Sequence, residues 1–418
     1  MFRQTLSLTA DPYFRSDDFG TSPFPTLFGV ALAAGLMFTP DRLALLGNVT
    51  GSTGPPVLIA LAGGIAVYLV SVRQIKMLPT GGVSAWHPAV WARVPFAVCA
   101  ATGLLVSAGY AFNEVFAYWF PNFAFAYLML GAVVAINVIG KRAVVAVQIV
   151  SVGAAATGLA VLSIAGIAAP PDAPPNAAGA SEGLSLKAAS IGLLLPVGFD
   201  LAASARETTR RGFVRSSMIW CLAGGGTLLL LWGATGWFHV PADRLAGSTV
   251  PHMSAASAVL GQAGRYMMGA VVIFSVLAAV NALFFALSRC PVPKSDPGDK
   301  AATRARLAML TVLAGTPAAM MALGLAGEPV LEVWIRAGLV LWLFYYLLAH
   351  AGGLIGRRSN VDAGSPYAAG LAVTAIGLTL AALVAAEEER FAMAAFLFAA
   401  PVVAGAAAAA VRRLARAA

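Results

Sequence analysis

Long apolar stretches follow one another along most of the chain, and they constrain its fold more than any other feature. Two of them, at 227–237 and 339–349, read TLLLLWGATGW and LVLWLFYYLLA and are apolar on every helical face. Backbone polar groups in hydrocarbon need internal partners, which helices supply, whereas a transmembrane barrel would alternate polar and apolar residues. With 59% hydrophobic and 11% charged residues, the chain is predicted to be an all-α integral membrane protein.

The number of spans follows from their length. A hydrocarbon core about 30 Å thick asks for roughly 20 apolar residues in each helix. Charged residues and Pro- or Gly-rich breaks divide the chain into twelve such segments. The predicted transmembrane helices are 24–40, 56–73, 95–118, 123–139, 144–168, 188–205, 216–238, 266–289, 306–326, 331–355, 367–386 and 391–411.

The basic residues predict how these helices are oriented, because short cytoplasmic loops collect Lys and Arg. With the N-terminus inside, all but six of the 27 basic residues fall on the cytoplasmic side, Arg93 among them. The six are Arg42, Lys187, Arg244, Arg265, Arg336 and Arg390. We therefore predict a multi-pass protein of a bacterial-type cytoplasmic (inner) membrane with both termini cytoplasmic. The net charge of +9 is spread over separate loops, which argues against a nucleic-acid partner.

Two of the predicted helices contain backbone breaks. Helix 1 carries Gly29 and Gly35 and ends at Pro40, and helix 6 contains Pro196 and Gly198. Secondary transporters are often inverted repeats whose matching helices are interrupted near the membrane midplane. The pattern therefore predicts a 5+5 inverted repeat with helices 1 and 6 broken, followed by two C-terminal helices. Close helix packing is the alternative explanation for the glycines of helix 1.

The predicted organisation has five parts along the chain. They are a cytoplasmic N-terminal tail (1–20), a first repeat with helices 1 to 5 (21–168), an extracytoplasmic loop (169–187), a second repeat with helices 6 to 10 (188–356), and helices 11 and 12 with a short cytoplasmic C-terminus (357–418).

Motifs in several helices resemble those of the amino acid-polyamine-organocation (APC) superfamily of permeases, which have a leucine-transporter-like fold. GVALAAGLMFTP (29–40) is similar to the family's glycine-rich first helix, and LPTGGVSAW (78–86) to the signature after its second helix. NVIGKRAVVAVQ (137–148) resembles the link between its fourth and fifth helices. The strongest match is PVGFDLAASARETTRR (196–211), and VNALFFALSR (280–289) resembles the eighth helix.

This resemblance implies a secondary active transporter, or permease, for an amino acid or a related amine that works by alternating access. The substrate-binding residues that it implies are Ala33, Ala34, Gly35, Pro196, Val197, Gly198, Phe199, Asp200 and Asn281. The gating or coupling residues that it implies are Asp200, Glu207 and Arg289.

The chain also departs from the family pattern. Ala33 and Ala34 stand where the family usually has glycines around the substrate carboxylate, and alanine resists the positive φ angles that glycine accepts. The fifth helix lacks the lysine of some proton-coupled members, and the eighth lacks the hydroxyls of sodium-coupled relatives. Three transport mechanisms remain: proton coupling through another acidic residue, exchange of one solute for another, and facilitated passage.

The ionisable residues within the spans have structural alternatives as well. Asp200 is interpreted either as a contact for the substrate or as a cap of the helix that resumes after the break. Glu207 and Arg289 form either an inner gate or a plain interfacial ion pair. Glu332 and Arg336, four residues apart, predict a pair within one helix near the outer surface.

No catalytic constellation is present in the sequence. It has no recognisable nucleophile and base pair, metal-ligand cluster or phosphate-binding loop, so neither an enzyme nor a cofactor or metal is expected. The expected partners are a small-molecule substrate, an amino acid or amine, and the lipid bilayer, and the sequence leaves protein partners unknown. Two alternatives remain: a non-transporting sensor or scaffold on a degenerate transporter fold, and a twelve-helix carrier of another family.

Overall fold

The computed structural model describes residues 24–75, 84–170, 186–208, 211–290, 292, 300–355 and 365–416. All the regular elements within these ranges are helical, which confirms the predicted fold class. The α-helices are α1 (Phe24–Ala34), α2 (Pro40–Thr53), α3 (Pro56–Ile75), α4 (Pro88–Trp91), α5 (Val94–Val115), α6 (Asn122–Ile139), α7 (Lys141–Ala168), α8 (Leu186–Leu194), α9 (Arg211–Trp220), α10 (Gly226–His239), α11 (Ala242–Gly247), α12 (Pro251–Arg289), α13 (Lys300–Ala322), α14 (Pro329–Ile355), α15 (Pro366–Ala385) and α16 (Arg390–Arg416). Short 3₁₀ helices cover Phe199–Thr208 and Leu325–Gly327, and a π-helical turn covers Cys221–Gly225.

Ten stretches of the described chain are long and apolar enough to cross a membrane, and each overlaps one of the predicted spans. The protein is therefore a multi-pass membrane protein. The first and sixth predicted spans are not among the ten because each is interrupted. The inverted symmetry of the two repeats and the orientation in the membrane stay predictions.

The first span is longer than predicted. Helix α1 ends at Ala34, residues 35–38 form a turn, and Pro40 begins α2 instead of ending the span. Proline suits the first position of a helix, because that position needs no N–H donor and proline already has a helical φ. The predicted end at Pro40 is thus wrong, since the chain continues as a second half-helix to Thr53.

The sixth span is broken, as the sequence predicts. Helix α8 ends at Leu194, residues 195–198 form a turn, and a 3₁₀ helix begins at Phe199. Gly198 has a φ of 103°, which side chains with a Cβ atom rarely adopt. Pro196 supplies no N–H to the helical ladder, so proline and glycine together interrupt the helix here.

The third span begins earlier than predicted. Its first turn is α4, from Pro88 to Trp91, and the main helix α5 starts at Val94. Arg93 lies between the two and is only 5% exposed, so it is packed inside the bundle although the predicted span begins only after it, at residue 95. An unpaired arginine at this burial would be unfavourable, and its partner is described below.

Two further irregularities shape the helices around the centre. Helix α12 is bent where Leu260 and Gly261 leave helical φ and ψ, so the predicted eighth span is only its second part. The π-helical turn Cys221–Gly225 joins α9 to α10. Its Cys221 sulfur lies 3.3 Å from the Met37 sulfur, in the turn that interrupts the first span.

A close backbone approach joins α3 to α8. A Cβ atom on Gly64 would lie 2.1 Å from the carbonyl oxygen of Gly192, and one on Gly192 would lie 2.0 Å from that of Ala60. Only glycine allows the two backbones to come this close. The contact fixes α3 beside the C-terminal end of α8, where the sixth span is interrupted.

Candidate functional site

The two interruptions meet at the centre of the protein. A Cβ atom on Gly198 would lie 2.5 Å from the Leu36 Cδ1 atom, so the turn of the sixth span packs on the turn of the first. Residues 31–40 and 190–203 are all buried. Eight of the predicted substrate-binding residues thus come together in one buried region: Ala33, Ala34, Gly35, Pro196, Val197, Gly198, Phe199 and Asp200.

Asp200 is fully buried and makes its described hydrogen bonds with side chains. Arg93 forms a buried ion pair with its Oδ2 atom. The Tyr346 hydroxyl, from α14, donates to its Oδ1 atom at 2.5 Å and accepts from the Gly198 N–H at 3.1 Å. The carboxylate therefore ties the third and tenth spans to the break in the sixth, which is more than a local helix cap does.

Phe199 lies between two tyrosines. Its ring centroid is 4.9 Å from that of Tyr68 and 5.6 Å from that of Tyr346. The two tyrosine rings are 5.9 Å apart and nearly perpendicular, an arrangement that aromatic rings favour. Because all three side chains are fully buried, the cluster closes the region beside the break.

Arg42 occupies the carbonyl end of α8. This arginine, in the first turn of α2, donates from Nη1 to the backbone oxygens of Leu194, at 3.3 Å, and Leu195. The Tyr68 hydroxyl donates to the preceding carbonyl, that of Leu193, at 2.9 Å. The last carbonyls of a helix have no partner within it and carry partial negative charge, so a cation is stabilised there.

The Arg93 guanidinium also contacts two aromatic rings of α14. Its central carbon lies 4.7 Å from the ring centroid of Tyr345 and 5.5 Å from that of Trp342. Trp342 in turn meets Phe96 edge to face at 5.2 Å. Cations are attracted to the faces of aromatic rings, so these contacts add to the stability of a buried arginine.

Three buried amides form a hydrogen-bonded row, here called the amide chain, that ends on α1 just before the first break. Asn137 donates to Asn281 at 3.0 Å, Asn281 donates to Gln148 at 2.8 Å, and Gln148 donates to the carbonyl oxygen of Ala31 at 2.9 Å. The predicted site residue Asn281 therefore reaches the break through Gln148. The amide chain ties the fourth, fifth and eighth spans to the end of α1.

The predicted gate lies partly outside the described residues. The side chain of Glu207 is not among them, so its pairing with Arg289 stays a prediction. Arg289 donates from Nη1 to the Phe285 carbonyl at 3.1 Å, and its guanidinium lies 3.8 Å from the ring centroid of that phenylalanine.

A second ionic cluster lies away from the breaks. Arg336 is 3.6 Å from Glu332, which confirms the predicted pair within one helix. It also forms a two-point contact, at 2.8 and 3.2 Å, with Glu387 in the loop between α15 and α16. This contact holds the pKa of the Glu387 carboxyl below its ordinary value.

Sequence reasoning missed the residues that surround the breaks. Arg42 and Arg93 appeared only in the count of basic residues, and Tyr68, Tyr346 and Gln148 received no role. A usable signal was present for Arg93, because it directly precedes a long apolar run that it has to join. No pattern in the sequence marks the tyrosines, whose role depends on which spans pack together.

Two interrupted helices that meet inside a bundle of membrane-spanning helices define a transporter fold. No family model and no curated protein sequence matches the chain. Among solved structures, it is similar to a manganese transporter mutant from Eremococcus coleocola, with a TM-score of 0.57 and 11% identity over 99% of this chain and 98% of the other. It is also similar to Mhp1, a nucleobase-cation-symport-1 family transporter, with a TM-score of 0.54 and 13% identity over 93% and 92%.

A third similar structure is that of a Na⁺-coupled sialic acid symporter, with a TM-score of 0.53 and 10% identity over 85% of this chain and 88% of the other. At these identities the likeness establishes the fold, and the fold is shared by proteins whose substrates differ widely. The substrate of this chain must therefore be argued from its own residues.

Proposed function

We propose that the chain is a secondary transporter of the permease type, with its substrate site where the two interrupted spans meet. The observation that carries this proposal is the contact of the break at Gly198 with the break at Leu36, in a region that also buries Arg42, Arg93 and Asp200. Buried ionisable groups in a membrane bundle are unfavourable unless they are paired, and they usually belong to a transport pathway.

Alternating access requires parts of the bundle to move against each other around the site. The ion pair of Arg93 with Asp200 and the hydrogen bond of Tyr346 with Asp200 join three spans across the break. We propose that these contacts form and break during the transport cycle. Asp200 would then couple the state of the site to the packing of the third and tenth spans.

The resemblance to APC permeases supports an amino acid or a related amine as the substrate. Proton coupling through Asp200 or exchange of one solute for another is the proposed energy source, because the fifth and eighth spans lack the family's usual coupling groups. The fold favours a carrier over an enzyme. A sensor or scaffold with the same fold would bind solute without moving it, and a flux measurement separates the two.

Uptake into proteoliposomes made with the full chain tests the proposal. Radiolabelled amino acids are supplied with and without a pH gradient, and with and without internal solute for exchange. We expect Asp200→Asn to abolish flux that the wild type shows. Asp243→Asn is the matched control, because it removes a carboxylate from an exposed position of α11.

Two results would contradict the proposal. Wild-type protein that binds solute without any flux would favour the sensor. Full flux in Asp200→Asn would remove this carboxylate from the transport cycle and leave the two breaks without their proposed coupling residue.

A further inference from the structure

Three backbone acceptors at the break of the sixth span are already bonded to side chains of the protein. The carbonyl oxygens of residues 193–195 accept from Tyr68 and Arg42. These carbonyls form the negative end of α8, where a positively charged solute would be expected to bind. Because a guanidinium fills that place, an amine would have to displace it.

Asp200, the one buried carboxylate that the structure describes at the breaks, is also occupied. Asp200 accepts from Arg93 at one oxygen and from Tyr346 at the other. Both partners are buried, and the Tyr346 hydroxyl is itself bonded to the Gly198 N–H. A substrate amine would therefore find no vacant carboxylate in this region among the residues that the structure describes.

Several donors beside the breaks, by contrast, have no hydrogen-bond partner in the described part of the chain. They are the Nη2 atom of Arg42, the Nε atom of Arg93 and the indole Nε1 atom of Trp342. The hydroxyl of Tyr345, next to Arg93, is also unbonded. Buried donors are nearly always satisfied, so unbonded ones beside a proposed binding region indicate an acceptor ligand.

The balance of buried charge at the breaks also favours a negatively charged ligand. Arg42 and Arg93 against Asp200 leave one positive charge in excess among the described buried groups at the breaks. The Asp41 carboxylate, adjacent in sequence, attracts Arg42 but lies at an exposed position, so it offsets this buried excess only in part. A buried excess of positive charge is unfavourable in a membrane bundle, and a bound anion would remove it.

We propose that the transported solute carries a net negative charge and that its carboxylate binds the unbonded Nη2 group of Arg42. This inference rests on the proposed transport function and narrows its substrate class. Guanidinium groups suit carboxylates because their planar N–H pairs match the two carboxylate oxygens. Acidic amino acids and other small carboxylates fit the site, and neutral amino acids fit less well. Polyamines are excluded by charge.

Thermal-shift measurements on the purified full chain test this proposal directly. The probes are L-glutamate, succinate, L-alanine, L-lysine and putrescine at equal ionic strength, and the same solutes are then used in proteoliposome flux. We expect stabilisation and flux with glutamate or succinate, and neither with lysine or putrescine. A ligand stabilises the state that it binds, so the ranking reports affinity.

Two variants assign the effect to the site. Arg42→Gln should weaken binding of the anion about tenfold or more, because it removes a charged hydrogen bond. Arg42→Lys should keep the preference for anions at lower affinity. Arg244→Gln is the matched control, since it removes the same charge from an exposed position of α11 and should leave anion affinity unchanged.

The outcomes separate the two proposals. Flux of lysine, putrescine or alanine equal to or above that of glutamate and succinate would overturn the anion proposal and leave the transport function standing. No stabilisation and no flux with any of the five probes would overturn both. If Arg42→Gln does not fold, the wild-type ranking still decides the question.

Discussion

Breaking the ion pair of Arg93 with Asp200 should destabilise the protein more than almost any other single change. The two side chains are 5% and 0% exposed, so either partner left alone is a buried charge. Removing one member of such a pair costs about 3–5 kcal/mol. Asp200→Asn should lower the free energy of unfolding by about 3 kcal/mol, because the tyrosine and tryptophan rings still contact the arginine. Arg93→Gln should lower it by about 5 kcal/mol, since Tyr346 alone then bonds the carboxylate.

The double variant, Arg93→Gln with Asp200→Asn, gives the sharper expectation. It leaves no buried charge at this place, and neutral replacements of a buried pair are often close to wild type in stability. We therefore expect the double variant to be more stable than either single one. The coupling energy from the cycle should then exceed about 3 kcal/mol, above the range usual for neighbouring residues.

The measurement is unfolding of the detergent-solubilised protein by increasing SDS, followed by tryptophan fluorescence. The control is the same cycle on Glu332 and Arg336, which are 77% and 44% exposed. An exposed pair should give a coupling of only about 0–1 kcal/mol. Single effects at Arg93 and Asp200 that add within about 0.5 kcal/mol would refute the buried pair.

Two further predictions concern the amide chain and the second ionic cluster. Gln148→Leu leaves the Asn281 side-chain N–H group without an acceptor, whereas the Ala31 carbonyl keeps its bond from the Gly35 N–H, and an unsatisfied buried group costs about 1–3 kcal/mol. Thermal unfolding should show this loss, and an unfolding temperature equal to that of the wild type would contradict the hydrogen bonds of the amide chain. Arg336 lowers the pKa of Glu387 below its ordinary 4.5, so the stability from this contact is present above pH 4.5 and is lost as pH falls through the lowered pKa. On acidification, the unfolding temperature of the wild type should therefore decrease by more than that of Arg336→Gln. Equal decreases would contradict the contact of Arg336 with Glu387.

The fold was predictable because the bilayer imposes a simple requirement on the sequence. Apolar runs of about 20 residues must be helices, and ten stretches long and apolar enough to cross a membrane overlap the predicted spans. The break of the sixth span was also predictable, since Pro196 and Gly198 disrupt a helix through their own backbone properties. Local chemistry is sufficient for both conclusions.

The first span shows where local reasoning ends. Pro40 can stop one helix or start the next, and the residues beyond it, DRLALLGNVTG, are too polar to resemble a membrane helix. In the structure Arg42 is tolerated there because α8 ends beside it. The partner comes from more than 150 positions away in sequence, and nothing near Arg42 predicts it.

The same limit applies to the third and tenth spans. From the sequence alone, Arg93 looks like one of the basic residues that cytoplasmic loops collect, because its partner Asp200 is far away in sequence. Tyr346 is one aromatic residue among many in an apolar helix. The motif at 196–211 identified Asp200 as important. The groups that bond it could be identified only once the packing of the spans was known.

The π-helical turn at Cys221–Gly225 makes the seventh span unusually tolerant of a change in length. Such a turn is an α-helix that holds one additional residue, so a single deletion within it leaves the helices on both sides in their original directions. The deletion would instead remove part of the surface on which Met37, in the first break, packs. In related chains, the presence or absence of one residue at this turn would therefore alter the shape of the central region while the surrounding bundle stays unchanged.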